Sequence, residues 1–108
     1  MKAIHLKSME PGVALVTGGS KRIGRSIIKK LSTLGWKVII HYNSNKVDAL
    51  SLQKEIKKNG GSVSIIKANL NNPKATKELI GKSENIFGKL TLLVNNASVF
   101  ENDSVKSN

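Results

Sequence analysis

Residues 17 to 24 read Thr17-Gly18-Gly19-Ser20-Lys21-Arg22-Ile23-Gly24. An apolar run precedes this segment and an amphipathic one follows it. Glycines so placed suit one task, holding an anion against the main chain. Glycine reaches positive φ and lets a phosphate approach the backbone closely. The N–H groups that open the next helix, at the positive end of its dipole, then face the anion. The pattern therefore predicts a loop for the diphosphate of a dinucleotide, built from Gly18, Ser20, Lys21, Arg22, Ile23 and Gly24. An ordinary strand-to-helix turn is the competing reading. A Walker A loop is excluded, because neither the glycine spacing nor the lysine position fits its pattern.

The chain has two arginines against 16 lysines, and both, Arg22 and Arg25, lie in or beside this loop. A guanidinium presents a planar fork of donors matched to phosphate. Arg22 is the expected phosphate ligand, and Arg25 reads as a solvated helix residue. An acidic residue at the end of the second strand of such a site would grip the adenosine ribose and select NAD. Here that end reads His41-Tyr42-Asn43-Ser44, and the next carboxylate is Asp48. A 2′-phosphate meets no repulsion there, and Lys21, His41 and Ser44 are expected to add contacts.

These residues need elements to hold them. Val13 to Thr17 is a continuous apolar run, as in a strand buried on both faces. Ile23, Ile27, Ile28, Leu31 and Leu34 recur at helical spacing, and Gly35 stands where a C-cap glycine belongs. Trp36 to Tyr42 reads as a second strand, with Trp36 as a packing residue. Asn43-Ser44-Asn45 is a polar turn. Val47 to Lys58 follows as a helix with Ala49, Leu52 and Ile56 on one face. Ser62 to Leu70 is a third strand. Asn72-Pro73 reads as an N-cap followed by Pro at the first helical position. Leu79, Ile80, Ile86 and Phe87 give a third helix face, and Leu90 to Val94 a fourth strand. The order β-α-β-α-β-α-β predicts an α/β fold, a Rossmann-type doubly wound parallel sheet with four strands and three helices. Residues 1–12 read as a leader, 13–100 as a dinucleotide-binding half-domain, and 101–108 as a polar tail opening a further region.

Composition narrows the field. The 108 residues carry 18 basic and 7 acidic side chains, a net charge of +11. A basic chain raises nucleic acid as a partner. The lysines are dispersed, however, and 11 asparagines accompany them. Lys and Asn both have AT-rich codons, so genome bias is a competing cause of the charge, and a nucleic-acid-binding domain is the weaker rival. Cysteine is absent, which excludes disulfides and thiolate chemistry in this sequence. No apolar run reaches the ~20 residues of a membrane span. The first twelve residues lack a secretory apolar core, and the sequence predicts a cytoplasmic protein with no membrane contact.

Several segments carry a family resemblance. Thr17-Gly18-x-x-x-Arg22-x-Gly24 resembles the cofactor loop of the short-chain dehydrogenase/reductases, usually Thr-Gly-x-x-x-Gly-x-Gly. Arg22 replaces the middle glycine, as in the pteridine reductase branch, which prefers NADP(H). His41-Tyr42-Asn43-Ser44 is similar to the His-Tyr turn of that branch. Leu93-Val94-Asn95-Asn96-Ala97-Ser98 resembles the family's Asn-Asn-Ala-Gly motif, with Ser98 in the glycine place. The resemblance runs from Val13 to about Phe100.

It implies NADP(H) as cofactor, Asn69 and Leu70 at the adenine, and Asn95, Ala97 and Ser98 toward the nicotinamide ribose. It also implies hydride transfer to a C=O or C=N group of a pteridine-like substrate in the complete enzyme. Family members use a Tyr as acid/base with a Lys four residues on. Tyr42 and Lys46 have that spacing but stand at the adenosine end, so they are not assigned to catalysis. The catalytic pair is expected beyond Asn108, and a homo-oligomer only in the longer protein. The sheet order implied by the resemblance leaves the fourth strand at an edge. A catalytically silent dinucleotide-binding module is the rival from another class.

Overall fold

A computed structural model describes residues 10–96. Strands β1 (Val13–Thr17), β2 (Lys37–Tyr42), β3 (Val63–Lys67) and β4 (Leu92–Asn95) alternate with helices α1 (Arg22–Thr33), α2 (Lys46–Lys58) and α3 (Pro73–Phe87). The sheet order is β3-β2-β1-β4, and every pairing is parallel. The predicted doubly wound arrangement is the one observed.

Alternation along the strands divides the core in two. On one face Ala14, Val16, Val38 and Ile40 pack with Ile28, Leu31 and Trp36, and with Leu52 and Ile56 of α2. On the other face Val13, Leu15 and Ile39 pack with Leu79 of α3. Because β1 is covered on both faces, all five of its residues are buried. α1 has no side-chain cap at its N-terminus. It is held by packing: burying Ile28 and Leu31 contributes about 1.5–3 kcal/mol each, more than the ~1 kcal/mol of a typical cap. Gly35, at φ 94°, turns the chain from α1 toward β2.

α3 begins as its sequence predicts. Asn72 Oδ1 accepts the Ala75 N–H at 2.9 Å, and Pro73 occupies the first turn. Other boundaries move. β3 ends at Lys67, not Leu70, which leaves Asn69 and Leu70 in the loop beyond it. β4 is displaced toward the site, covering Leu92–Asn95. Ile23 and Ile86 are exposed, against expectation. In α1 the core-facing series is Gly24, Ile28 and Leu31, one residue out of phase with Ile23. In α3 it runs through Leu79 and Ser83, whose hydroxyl donates to the Leu79 carbonyl.

Among the described residues no helix is long and apolar enough to cross a membrane. No group of three or more His, Cys, Asp or Glu side chains could hold a metal ion there.

Candidate functional site

With all four strands parallel, their carboxyl ends meet along one edge of the sheet. There the chain leaves β1 toward β2 on one side, while β4 flanks β1 on the other. Such a switch in strand order opens a crevice outside the carboxyl ends. The glycine loop sits at its mouth.

Each glycine has a distinct reason to be there. Gly18 adopts φ 63°, which turns the chain sharply off β1. A Cβ on Gly19 would lie 2.5 Å from Ile28 Cδ1 and 3.0 Å from Ile40 Cγ2. A Cβ on Gly24 would lie 2.7 Å from both the Gly18 carbonyl oxygen and Gly19 Cα, and 2.8 Å from Asn96 Nδ2. Gly24 thus lets the first turn of α1 press directly onto the loop.

The helix N-terminus is left open. Lys21 stands at the N-cap in extended conformation, with no side-chain bond into the helix. The Arg25 N–H reaches the Lys21 carbonyl at 2.7 Å. The N–H groups of Arg22, Ile23 and Gly24 meet no acceptor among the described residues. Three orphan donors at the positive end of a helix dipole form a site suited to an anion. α3, by contrast, closes its own N-terminus with Asn72.

Residues beneath the loop fix its shape. Asn96 Nδ2 donates to the Gly18 carbonyl at 3.1 Å. Thr17 Oγ1 donates to Asn95 Oδ1 at 3.1 Å, tying β1 to the end of β4. The Gly19 N–H donates to the His41 carbonyl at 3.1 Å. The Gly18 N–H donates to His41 Nδ1 at 3.0 Å, and His41 Nε2 lies 2.8 Å from the Ala68 carbonyl. Nδ1 must accept and Nε2 must donate, so the imidazole is neutral with its proton on Nε2. Burial holds its pKa below the ordinary 6.5, against an opposing contribution from the Ala68 carbonyl. His41 is only 2% exposed. The structure therefore gives its side chain a different task from the phosphate contact its type suggests.

The other predicted residues distribute along the same edge. Lys21, Arg22 and Ile23 are exposed at the mouth, and Ser20 is buried beneath them. Arg22 makes no ion pair among the described residues, whereas Arg25 pairs with Glu55 at 2.9 Å. That pairing corrects the reading of Arg25 as solvated: with Lys29 it ties α1 to α2 through Glu55. Asn43 and Ser44 are exposed just past β2, and Tyr42 is buried. Asp48 accepts from Asn45 Nδ2 at 2.7 Å at the start of α2. Asn69 is exposed beyond β3, Leu70 packs on the α3 side, and Asn95 is exposed at the end of β4. Ala97 and Ser98 lie outside the described residues.

Two members of the constellation escape a residue-type reading. Asn96 was grouped with Asn95 by the motif, yet it is the one that pins the loop. Thr17 reads as the last residue of a buried strand. The available signal was their position, each at a strand end next to a glycine turn or an asparagine pair.

Comparison with known proteins agrees with this geometry. The sequence pattern described as short chain dehydrogenase matches residues 12–108. Tetrahydroxynaphthalene reductase of Pyricularia oryzae is 35% identical over 99 residues, covering 92% of this chain and 35% of the relative. A 3-oxoacyl-(acyl-carrier-protein) reductase of Staphylococcus epidermidis is 40% identical over 86 residues, covering 80% of this chain and 35% of the relative. The crystal structure of FolM alternative dihydrofolate reductase 1 from Brucella canis, complexed with NADP, superimposes with a TM-score of 0.74 at 34% identity, covering 82% of this chain and 35% of that one. The chain spans about a third of the length of the curated relatives it matches. With matching topology, glycine loop and sequence pattern, the chain belongs to the short chain dehydrogenase family.

Proposed function

We propose that this chain is the cofactor-binding portion of an NADP(H)-dependent oxidoreductase. The observation that carries the proposal is the uncapped start of α1. Among the described residues, three N–H groups there meet no acceptor and the exposed Arg22 beside them makes no ion pair. The diphosphate sits against Gly18, Ser20, Lys21, Ile23 and Gly24. Arg22, with Ser44 and Asn43 past β2, takes the 2′-phosphate. No carboxylate stands at the end of β2 to repel it, and Asp48 is engaged by Asn45. Asn69 and Leu70 flank the adenine. Asn95, Ala97 and Ser98 lie toward the nicotinamide ribose. When bound, NADPH supplies the hydride; these residues only bind and orient it.

In the complete enzyme the acceptor is a C=O or C=N group. The Brucella neighbour is named a dihydrofolate reductase, and folate carries a pteridine ring, which supports a pteridine-like substrate. A cytoplasmic setting and a homo-oligomer of the longer protein belong to the same proposal. So does the assignment of residues 13–100 as the half-domain.

Calorimetric titration of the chain with NADPH and NADH tests the proposal. Saturable binding with NADPH preferred is the expected result. Failure of both nucleotides to bind would overturn it.

A further inference from the structure

We propose that His41 is a positioning residue for the cofactor loop: as a neutral bracket between Gly18 and Ala68, it decides which loop N–H groups remain for the diphosphate. The inference rests on the cofactor reading above. It concerns a side chain that need not touch the nucleotide.

The geometry carries it. Ahead of α1 the loop carries the N–H groups of Gly18, Gly19, Ser20 and Lys21; that of Lys21 turns back to the Gly18 carbonyl, and those of Gly18 and Gly19 turn to His41. These last two are consumed by the same residue, Gly18 by the imidazole and Gly19 by the main-chain carbonyl. With these taken, the N–H groups left without an acceptor among the described residues are that of Ser20 and those at the start of the helix, Arg22, Ile23 and Gly24. On its far side the ring meets the Ala68 carbonyl, next to Asn69. One rigid ring therefore fixes the separation between the loop after β1 and the loop after β3. These are the loops assigned to the diphosphate and the adenine. Each end of the bracket needs a different role, acceptor at Nδ1 and donor at Nε2. Only the neutral Nε2–H tautomer supplies both.

Protonation would break the bracket. A proton on Nδ1 would point at the Gly18 N–H, donor against donor, in a buried site. Lys67 of β3 and Glu78 and Lys82 of α3 line the pocket that contains Ala68, Tyr42 adjoins the ring on β2, and Lys21 and Arg22 belong to the loop it braces. Glu78 is the single carboxylate among them. It is exposed and makes no hydrogen bond to the ring. The rest would not stabilise a cationic imidazole.

Two measurements on the full chain test the proposal. In the first, imidazole and amide nitrogen resonances are followed by NMR as the pH falls. The expected result is the Nε2–H tautomer near neutral pH, with the Gly18 amide shifting along the His41 titration. An Nδ1–H tautomer, or a Gly18 amide indifferent to that titration, would overturn the bracket whether or not nucleotide binds.

In the second, NADPH affinity is compared for wild type, His41→Asn and His41→Gln. Asn offers an acceptor near the Nδ1 position, and Gln a donor near the Nε2 position. The nucleotide's own titration is common to all three and cancels. As pH falls from neutral through the lowered value of the folded imidazole, wild type should lose affinity relative to His41→Asn, which cannot take up the proton. His41→Gln, lacking the Gly18 acceptor, should bind at least about tenfold more weakly than His41→Asn near neutral pH. Circular dichroism confirms that each variant is folded. Equal affinities and pH profiles for wild type and both variants would overturn the proposal for His41 while leaving the cofactor reading intact. A wild type that binds no nucleotide would overturn the cofactor reading and with it the functional half of this one.

Discussion

The Asn96 side chain donates to the carbonyl of Gly18, 78 residues earlier in the chain, at 3.1 Å. The bond joins the end of β4 to the first glycine of the loop, across the crevice of the sheet. The same carbonyl also receives the Lys21 N–H at 3.3 Å. Gly18 is thus held at its carbonyl by Asn96 and Lys21, and at its N–H by His41. Gly24 packs against this assembly with no room for a side chain.

Gly24→Ala should therefore be costly. Its Cβ would press on the Gly18 carbonyl and Gly19 Cα, backbone atoms that cannot rotate away. Overpacking of this kind destabilises by about 1–3 kcal/mol. A matched control is Gly81→Ala in α3, where a Cβ meets nothing within 4 Å. At a helical position with open space, Ala should stabilise by about 0.4–1 kcal/mol. Urea denaturation of the two variants should show midpoints moving in opposite directions. Similar behaviour would mean that Gly24 is not under packing constraint.

The fold was legible because its signals are local. The run from Val13 to Thr17, the Asn72-Pro73 cap and the glycine spacing each follow from a few neighbouring residues. The loop was legible for the same reason. Ile23 was misplaced because a periodicity count rewards large apolar side chains, whereas the core-facing position of that turn belongs to Gly24. His41 and Asn96 were harder. Their roles depend on partners 23 and 78 residues away, which no window along the chain contains. A histidine at a strand end suggests a cation for a phosphate; only the sheet shows that both of its nitrogens are engaged.

Asn72→Ala separates local stability from the site. It removes the acceptor for the Ala75 N–H at the start of α3. Loss of such a cap costs about 1 kcal/mol. Asn72 lies outside the proposed contacts, so NADPH affinity measured on the folded variant should be unchanged. A lower denaturation midpoint with equal affinity is the expected pair of results.

Acidity should weaken the fold in two separate windows. The His41 imidazole titrates below 6.5 in the folded chain because it is buried. The unfolded chain therefore takes up that proton first. Stability contributed by the neutral ring is complete above about pH 6.5 and declines as pH falls toward the folded value. Glu55 behaves as a depressed carboxylate, held below its ordinary 4.5 chiefly by the Lys29 hydrogen bond, with Arg25 and Lys29 charges adding to it. Its contribution is present above that value and is lost as pH falls through the lowered one. Urea midpoints measured against pH should show the upper decline in wild type and not in His41→Asn. Glu55→Gln should remove only the lower one, and high salt should shrink it.

Arg22→Ala tests the cofactor choice. The guanidinium is exposed at the mouth of the site and makes no ion pair among the described residues, whereas Arg25 is bound to Glu55. An arginine kept free at the open end of a helix has charge available for a ligand. NADPH differs from NADH by the 2′-phosphate alone, so the two cofactors report directly on whether Arg22 reads that group. Hydrogen bonds to a charged partner contribute about 1.5–3 kcal/mol, which corresponds to a loss of roughly tenfold to a hundredfold in affinity. Arg22→Ala should weaken NADPH by about that much and NADH far less, and Arg25→Ala should leave the NADPH-to-NADH ratio unchanged. Dissociation constants for both cofactors decide the point. Equal losses for NADPH and NADH in Arg22→Ala would show that the side chain shapes the loop without recognising the phosphate.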